Sequence, residues 1–254
     1  MMNGLSGITI KSDKEISYMR EAGAIIAQIM DVLESSIEPG ITTQELDNIC
    51  RREIKSNNVK SGFLGLYGFP ATICVSINQE IVHGIPGPRK LKNGDIISID
   101  AGVIVSGFNS DHAKTFPVGE CSDEDLTLIS DTSKALNLAI DQCLSNNTVG
   151  DIGYAVENYI SPKDYGLVKN YTGHGIGKAL HEPPQVPNFG KAGVGVKLSP
   201  GMTIAVEPMV NLGSEKTKLC DDGWTVVTSD GAKSAHFENT VLITGDKPEI
   251  LTVN

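Results

Sequence analysis

Five side chains of types that bind metal ions occur in the C-terminal two-thirds of the chain, each in a short segment with strand character. They are Asp100 in SIDAG, Asp111 in NSDHAKTF, His174 in GHGIG, Glu207 in AVEPMV and Glu238 in AHFENT. Four carboxylates cannot converge in a core as bare charges, because like charges at close range disfavour joint ionisation. The five residues therefore either lie apart on the surface or surround cations. The second arrangement predicts an oxygen-rich site for two divalent ions that activate a water between them.

The spacing of Asp100 and Asp111 predicts a β-hairpin. The intervening VIVSGFN contains a Ser-Gly pair, which is typical of a tight turn. Such a hairpin would set the two carboxylates on neighbouring strands, within reach of one shared ion. From spacing alone the alternative stays open, in which Asp100 caps a strand end and Asp111 faces solvent.

The surroundings of the other three candidates favour a buried site. Glycines flank His174, and they permit close backbone approach, although a lone histidine is more often a surface or hydrogen-bonded core residue. Glu207 and Glu238 lie in apolar strands, where an ionised carboxylate without a partner is costly. Two such glutamates favour a functional site over scattered placement.

Helix and strand patterns occur in the same order twice. Capping signals and apolar periodicity predict two helices followed by strands, and then the same again. We therefore predict an α+β fold with helices on one side of a largely antiparallel, curved sheet. We expect a single domain, residues 1–254, with an internal duplication whose halves are about 12–121 and 122–254. The predicted helices run from Ser12 towards Pro39, from Thr42 or Thr43 to the Asn57-Asn58 turn, from Ser122 to Leu144 and from Thr148 to Ile160.

Composition narrows the class of protein. The 254 residues can bury a substantial core, and the net charge of −10 argues against direct binding of nucleic acid or of an anionic membrane. The N-terminal segment has no signal-peptide pattern, and no stretch has the length of a membrane span, so we expect a cytoplasmic protein. The cysteines form no CxxC pair and are expected to be free thiols: Cys50, Cys74, Cys121, Cys143 and Cys220.

Taken together, the motifs resemble those of the type I methionine aminopeptidases of the short bacterial kind. The resemblance covers nearly the whole chain and is carried by NQEIVHGIP, SIDAGVIVSGFNSD, TGHGIGKALHEPPQV, TIAVEPMVN and DDGWTVVTSDGAKSAHFENT. It implies the pita-bread fold, in which two pseudo-symmetric halves enclose a dinuclear site. It also implies removal of the N-terminal methionine from nascent proteins and peptides when the second residue is small, by a water or hydroxide that bridges two divalent metals.

The resemblance assigns a role to each candidate ligand. Asp100 would hold one metal, Asp111 and Glu238 would bridge both, and His174 would complete the second metal with Glu207. Glu207 would also move the proton from the attacking water to the departing amine. A mostly oxygen site with one imidazole suits Mn or Fe(II) and tolerates Co or Zn.

Two further histidines and a second ion site follow from the same resemblance. His181 matches the residue that stabilises the tetrahedral oxyanion, and His83 matches the one that contacts the scissile peptide. Asn78 and Ser234 match segments that bind a monovalent cation in some relatives.

Six residues match the lining of the family's methionine pocket: Phe63, Leu66, Phe69, Cys74, Leu180 and Trp224. The first three replace a usual cysteine and two tyrosines, and Leu180 replaces a usual phenylalanine. We therefore expect a pocket that stays apolar but changes shape, with an effect on side-chain preference and not on catalysis.

Two more positions depart from the family. His112 stands where a small hydroxyl residue is usual, and strand alternation predicts that it faces away from Asp111. His236 stands where a glutamine is usual and should share a face with Glu238, so the surroundings of the metals are expected to differ.

Other functions remain to be weighed. A proline-directed aminopeptidase or a prolidase would share the fold, but these usually carry a separate N-terminal domain. A ligand-free binding module of the same fold would lack the five ligands, which are all present here. Expected partners are the N-terminal peptides of nascent proteins and no membrane. We expect a monomer and leave a ribosome contact open.

Overall fold

The computed structural model describes residues 7–253 of the chain. It contains four α-helices, α1 (Asp13–Ser36), α2 (Thr43–Ser56), α3 (Asp123–Ile140) and α4 (Val149–Ile160). A hydroxyl residue precedes each helix, and a carboxylate three residues later accepts hydrogen bonds from it. These caps satisfy backbone N–H groups that have no partner inside the helix. The four predicted helix starts are confirmed.

Two helices end earlier than predicted. Helix α1 ends at Ser36, because Ile37 adopts an extended conformation before Pro39. Helix α3 ends at Ile140, and the N–H groups of Gln142 and Cys143 bond carbonyls only three residues back. This tightening of the last turn ends the α-helical ladder.

Seventeen strands are assigned within residues 7–253, most of them short: β1 (Lys60–Ser61), β2 (Ile73–Ile77), β3 (Glu80–Val82), β4 (Ile96–Ala101), β5 (Val103–Val105), β6 (Phe108–Asn109), β7 (His112–Pro117), β8 (Gly166–Leu167), β9 (Gly173–Gly175), β10 (Glu182–Val186), β11 (Thr203–Val206), β12 (Met209–Asn211), β13 (Thr217–Leu219), β14 (Val226–Thr228), β15 (Ser234–His236), β16 (Glu238–Leu242) and β17 (Glu249–Ile250). A single 3₁₀ turn is assigned in the same part of the chain, at Leu66–Gly68.

The central sheet has eight strands in the order β10-β9-β11-β16-β7-β4-β2, and β17 also pairs with β16. Every pairing in it is antiparallel. Strands β7 and β16 meet in the middle, with Glu238 opposite Ala113. The sheet therefore joins strands from the two ends of the sequence into one surface.

The helices bury their apolar stripes against this sheet in two clusters. Ile26, Met30 and Leu33 of α1 pack with side chains of α2, β2 and β4. Leu136 of α3 and Ile152 of α4 pack with β11, β16 and their neighbours. We propose that these clusters are the cores of two duplicated halves, about 12–121 and 122–254, within one domain.

Two segments that the sequence predicts as single strands are interrupted. AVEPMV divides into β11 and β12 at Glu207-Pro208, and AHFENTVLIT divides into β15 and β16 at Phe237. Pro208 has no N–H to donate, so the ladder cannot continue through it. The N–H of Phe237 instead reaches the Pro208 carbonyl at 3.3 Å, outside both ladders. Both breaks fall beside candidate ligands.

The five cysteines are free. Burial raises the pKa of Cys50 to about 12, so this thiol stays protonated. Within residues 7–253, no helix combines the length and the apolar character that crossing a bilayer requires.

Candidate metal centre and substrate pocket

Asp100 and Asp111 lie on neighbouring strands, as the hairpin prediction requires. Asp100 is in β4 opposite Ala113 of β7, and Asp111 immediately precedes β7. The hairpin of β5 and β6 joins them, and Ser106 and Gly107 at its tip both have positive φ, 50° and 85°. Positive φ at both central residues matches the right-handed twist of the strands.

His174 reaches the site because its neighbours lack side chains. A Cβ on Gly173 would lie 2.3 Å from the Ala205 carbonyl oxygen, and one on Gly175 would lie 2.1 Å from that of Pro183. Strand β9 therefore fits closely between its partners only with glycine at both positions. The Nδ1–H of His174 donates to the Gly175 carbonyl at 2.9 Å, which leaves the Nε2 lone pair for a metal.

The ligand atoms face one another across this sheet. His174 Nε2 lies 3.6 Å from Asp111 Oδ2 and 3.6 Å from Glu207 Oε1. His236 Nε2 lies 3.7 Å from Glu207 Oε2 and 3.9 Å from Glu238 Oε2. The break at Pro208 turns Glu207 towards this point, and Glu238 begins β16. Contacts of this length are too long for hydrogen bonds but suit atoms that share an ion.

The donor set fits divalent cations. Asp100 Oδ1, Asp111 Oδ1 and Glu238 Oε1 are buried without a hydrogen-bond partner among residues 7–253. Two overlapping groups each bring three ligand atoms within 4.8 Å of one another, and they share one glutamate: Asp111 with His174 and Glu238, and Glu207 with His236 and Glu238. Buried polar atoms are normally paired, so this cluster of orphaned oxygens points to cations.

Without cations, the carboxyl groups of the site retain protons. Burial raises the pKa of Asp100 to about 7. Burial and the neighbouring carboxylates raise the pKa values of Asp111, Glu207 and Glu238 well above their ordinary range. Burial lowers the pKa of His174 to about 4, so its imidazole is neutral and able to bind a metal at neutral pH. Cations would replace these protons.

All thirteen residues predicted for the site line one cavity of about 130 Å³. They are the five metal-ligand candidates, the two histidines and the six pocket residues: Asp100, Asp111, His174, Glu207, Glu238, His83, His181, Phe63, Leu66, Phe69, Cys74, Leu180 and Trp224. Phe69 and Trp224 meet edge to face with their rings 5.1 Å apart. Phe63 is buried and packs close to Gly102. The structure thus places an apolar pocket directly beside the carboxylates.

Tyr67 also lines this cavity, although no sequence motif predicted it there. Its ring lies parallel to that of His181, with centroids 6.1 Å apart, and 76% of the residue is exposed. Its φ of 50° and the positive φ of Gly65 and Gly68 on either side make this segment a tight turn. The two glycines signalled a turn, but they could not show what its exposed side chain would cover.

A second cavity of about 420 Å³ adjoins the first. The two share five residues, His83, Asp100, His174, His181 and Glu207. None of the six apolar pocket residues lines the second cavity, whose own wall includes Tyr171, Gln185 and His236. Ligand candidates and histidines therefore lie between the small pocket that holds the six apolar residues and a larger adjoining cavity.

His83 and His181, the two histidines predicted to act on the substrate, flank this junction. The His181 ring lies 4.5 Å from that of His174, edge to face, and the His83 ring lies 6.0 Å from that of Tyr171. Burial lowers the pKa values of both, so each is a neutral imidazole near pH 7. His83 has a φ of 62°, and such strained backbone clusters at functional sites.

The remaining predicted positions lie around this centre. His112 faces the opposite side of the sheet, where it lines a cavity with Ala27 and Asp31, and its Nδ1 bonds the Glu238 carbonyl at 2.7 Å. The Asn78 carbonyl accepts a hydrogen bond from Ser234 N at 2.8 Å. Binding of a monovalent cation beside these two residues stays a prediction.

Known proteins are similar to this chain in sequence and in architecture. Residues 17–245 match metallopeptidase family M24. A methionine aminopeptidase of Clostridium perfringens is 47% identical, and the match covers 97% of this chain and 99% of that protein. The crystal structure of methionine aminopeptidase from Rickettsia prowazekii is similar with a TM-score of 0.95 and 40% identity, over 97% of this chain and 100% of that one.

The fold is the pita-bread fold of these enzymes, as predicted. It extends to more distant proteins: a Xaa-Pro dipeptidase from Bacillus anthracis is similar with a TM-score of 0.79 at 24% identity, over 96% of this chain and 62% of that one. At that identity the likeness concerns the fold alone. With its sequence match, its fold and its buried ligand cluster, the chain belongs to metallopeptidase family M24 and, within it, to the methionine aminopeptidases.

Proposed function

We propose that this protein removes the N-terminal methionine from peptides and nascent proteins when the second residue is small, with two divalent cations as cofactors. The observation that carries the proposal is the junction of a small apolar pocket with His174 and four carboxyl groups, of which those of Asp111 and Glu238 are buried. The names of the relatives support methionine as the residue removed.

The shape of the site supports cleavage after a single residue. The apolar cavity of about 130 Å³ would take the first side chain, and the larger adjoining cavity of about 420 Å³ would take the rest of the peptide. The scissile bond would then lie where the two cavities meet, next to Glu207, His83 and His181. Methionine suits an apolar pocket because its side chain is flexible and polarisable.

The ions would be held by Asp100, Asp111, His174, Glu207 and Glu238, and when bound they would lower the pKa of a water and so supply a nucleophile near neutral pH. Glu207 lines both cavities and has a carboxylate in the site, so it can accept a proton on one side of the scissile bond and deliver it to the leaving amine. Mn, Fe(II), Co and Zn all suit this donor set.

The histidines would act on the substrate and not on the ions. His181 and His83 lie outside both three-residue ligand groups but line both cavities. As neutral imidazoles they donate an N–H without adding a full charge to the resting site. His181 would donate to the oxyanion and His83 to the scissile peptide, which stabilises charge that develops only in the transition state.

The test is turnover on a peptide panel with the purified protein. After treatment with a chelator, the protein should be inactive, and Mn, Co or Fe(II) should restore release of methionine from Met-Ala peptides. Met-Leu peptides, with a large second residue, and Ala-Pro peptides should be cut poorly. Full activity of a metal-free sample, or faster cleavage of the Ala-Pro peptide, would contradict the proposal. The second result would favour a proline-directed enzyme of the same fold.

A further inference from the structure

His236 extends into the metal centre without a role in the proposed reaction. It is 2% exposed, and its Nε2 is a buried atom with no hydrogen-bond partner among residues 7–253. That atom lies 3.7 Å from Glu207 Oε2 and 3.9 Å from Glu238 Oε2. A hydrogen bond to either carboxylate would need about 2.7–3.2 Å. Two atoms that are each about 2.1 Å from one ion lie at most about 4.2 Å apart, so both separations fit a shared ion.

A threonine hydroxyl binds the backbone of His236 in the same way as another binds the backbone of Asp111. The Thr240 hydroxyl accepts a hydrogen bond from Asp111 N at 3.0 Å and donates to Asp111 O at 2.9 Å. The Thr115 hydroxyl accepts from His236 N at 2.8 Å and donates to His236 O at 2.8 Å. Each threonine therefore fixes both backbone groups of one residue on the opposite strand.

These two clamps are reciprocal. Thr115 follows Asp111 by four residues, and Thr240 follows His236 by four residues. Thr115 lies in β7 and Thr240 lies in β16, which is the antiparallel partner of β7. Asp111 directly precedes β7, and His236 ends β15, two residues before β16 begins. His236 thus occupies on its own strand the place that Asp111 occupies on the other. A position this firmly fixed, with its ring nitrogen directed at two carboxylates, has the preorganisation that a metal ligand needs.

We propose that His236 is an additional metal ligand, which binds one ion together with Glu207 and Glu238. Asp100 and the group of His174, Asp111 and Glu238 would then hold the other ion, and Glu238 is common to both groups. This inference rests on the proposed dinuclear function and deepens it. The assignment by resemblance differs, since it gives His174 and Glu207 to one ion and no metal to His236.

A second imidazole changes which metals the site prefers. Imidazole suits Zn, Cu, Fe and Ni, whereas carboxylate-rich sites suit Mn, and the affinity of nitrogen ligands for divalent ions rises from Mn through Fe to Co. With one histidine on each side, this protein should therefore favour Zn, Co or Fe(II) over Mn more strongly than a variant with glutamine at position 236.

The experiment counts imidazole ligands in the Co(II)-loaded protein. Isothermal titration with Co(II) and Mn(II) gives the affinities, and proton NMR detects the strongly shifted ring N–H signal of each histidine bound to Co(II). The native protein should show two such signals. His236→Gln and His174→Gln should each remove a different one, and His236→Gln should weaken the binding of one ion by more than about 10-fold.

His181→Gln is the matched control, because His181 lines the same cavities but belongs to neither ligand group. It should keep both signals and both affinities. One signal in the native protein, or two in His236→Gln, would overturn the inference even if the affinity fell. A native protein that binds no divalent cation would instead overturn the proposed function on which the inference rests.

Discussion

The segment that carries His181 is anchored by a buried ion pair, and removal of that pair tests how this proposed catalytic histidine is positioned. Lys11 Nζ lies 2.9 Å from Glu182 Oε2, and their side chains are 4% and 11% exposed. Glu182 also accepts a hydrogen bond from Thr9 Oγ1 at 2.8 Å and from Ala179 N at 3.1 Å. Since Glu182 follows His181 directly, the pair holds the end of the loop on which His181 stands.

Lys11→Met keeps the length of the side chain but leaves Glu182 buried without its cation. Breaking a buried pair in this way costs about 3–5 kcal/mol. Because Thr9 and Ala179 still donate to Glu182, we expect the low end, about 3 kcal/mol, which for a chain of this size lowers Tm by roughly 6–12 °C. The loop keeps its bonds from Asn109 to the carbonyls of Gly177 and Lys178 at 2.9 and 3.1 Å. We therefore expect kcat to fall by about 10-fold and at most about 10²-fold, with metal affinity unchanged.

Thermal unfolding and steady-state kinetics measure both effects. The double variant Lys11→Met with Glu182→Gln removes both charges and should recover most of the lost stability, as a double-mutant cycle would show. Arg20→Met is the matched control: its pair with Glu249 has two short bonds, but the side chains are 50% and 37% exposed. Exposed pairs contribute about 0–1 kcal/mol, so Tm should change little. If Lys11→Met behaved like Arg20→Met in both Tm and kcat, the anchoring role of the pair would be wrong.

Three further outcomes are expected. His181→Ala should retain both metals and lower kcat by roughly 10²-fold, as loss of an oxyanion donor does; metal loss with only KM changed would identify His181 as a ligand instead. Phe63→Cys should change the ratio of kcat/KM for Met-Ala to that for Leu-Ala, which corresponds to a change of about 1–3 kcal/mol in the difference between the two activation free energies. An unchanged ratio would exclude Phe63 from the side-chain pocket. Because burial raises the pKa of Asp100 to about 7, the folded metal-free protein keeps that proton below pH 7 and loses the associated stability as pH rises from about 4 to 7. Cations must displace the proton, so the gain in Tm on addition of Co(II) should grow from pH 5 to pH 7, and a constant gain would contradict this coupling.

Local signals in the sequence were enough to predict the helix starts and the hairpin. Ser12 with Glu15 forms the capping box that the spacing indicates. Ser106-Gly107 forms the turn between the two aspartates. Both features depend on residues that are close in sequence, where backbone hydrogen bonding and φ preferences decide the conformation. The convergence of the five ligand candidates was favoured by their residue types but not decided by them, and the places of the two histidines and the six pocket residues came from the family resemblance.

The breaks in the strands and the surroundings of the metals were harder to predict. Apolar alternation continues through Glu207 and Phe237, and the pattern is the same whether or not the ladder is interrupted. Pro208 was the available signal, because proline cannot donate to a ladder. Tyr67 gave no signal for its place over His181, since an exposed aromatic in a turn has no periodicity.

The candidate metal centre depends on parts of the chain that are far apart in sequence. Asp100 and Asp111 come from the strands that pack with α1 and α2, whereas His174, Glu207 and Glu238 come from the strands that follow α4. The reciprocal hydrogen bonds of Thr115 and Thr240 join the two sets where β7 meets β16. Without cations the carboxyl groups that meet there have raised pKa values, because burial and their mutual repulsion destabilise the ionised forms. The metal-free fold therefore has an electrostatic cost at this junction. Cations that bind both sets of ligands remove this cost and hold the two sets of strands together, so metal binding and folding of the central sheet should be thermodynamically coupled.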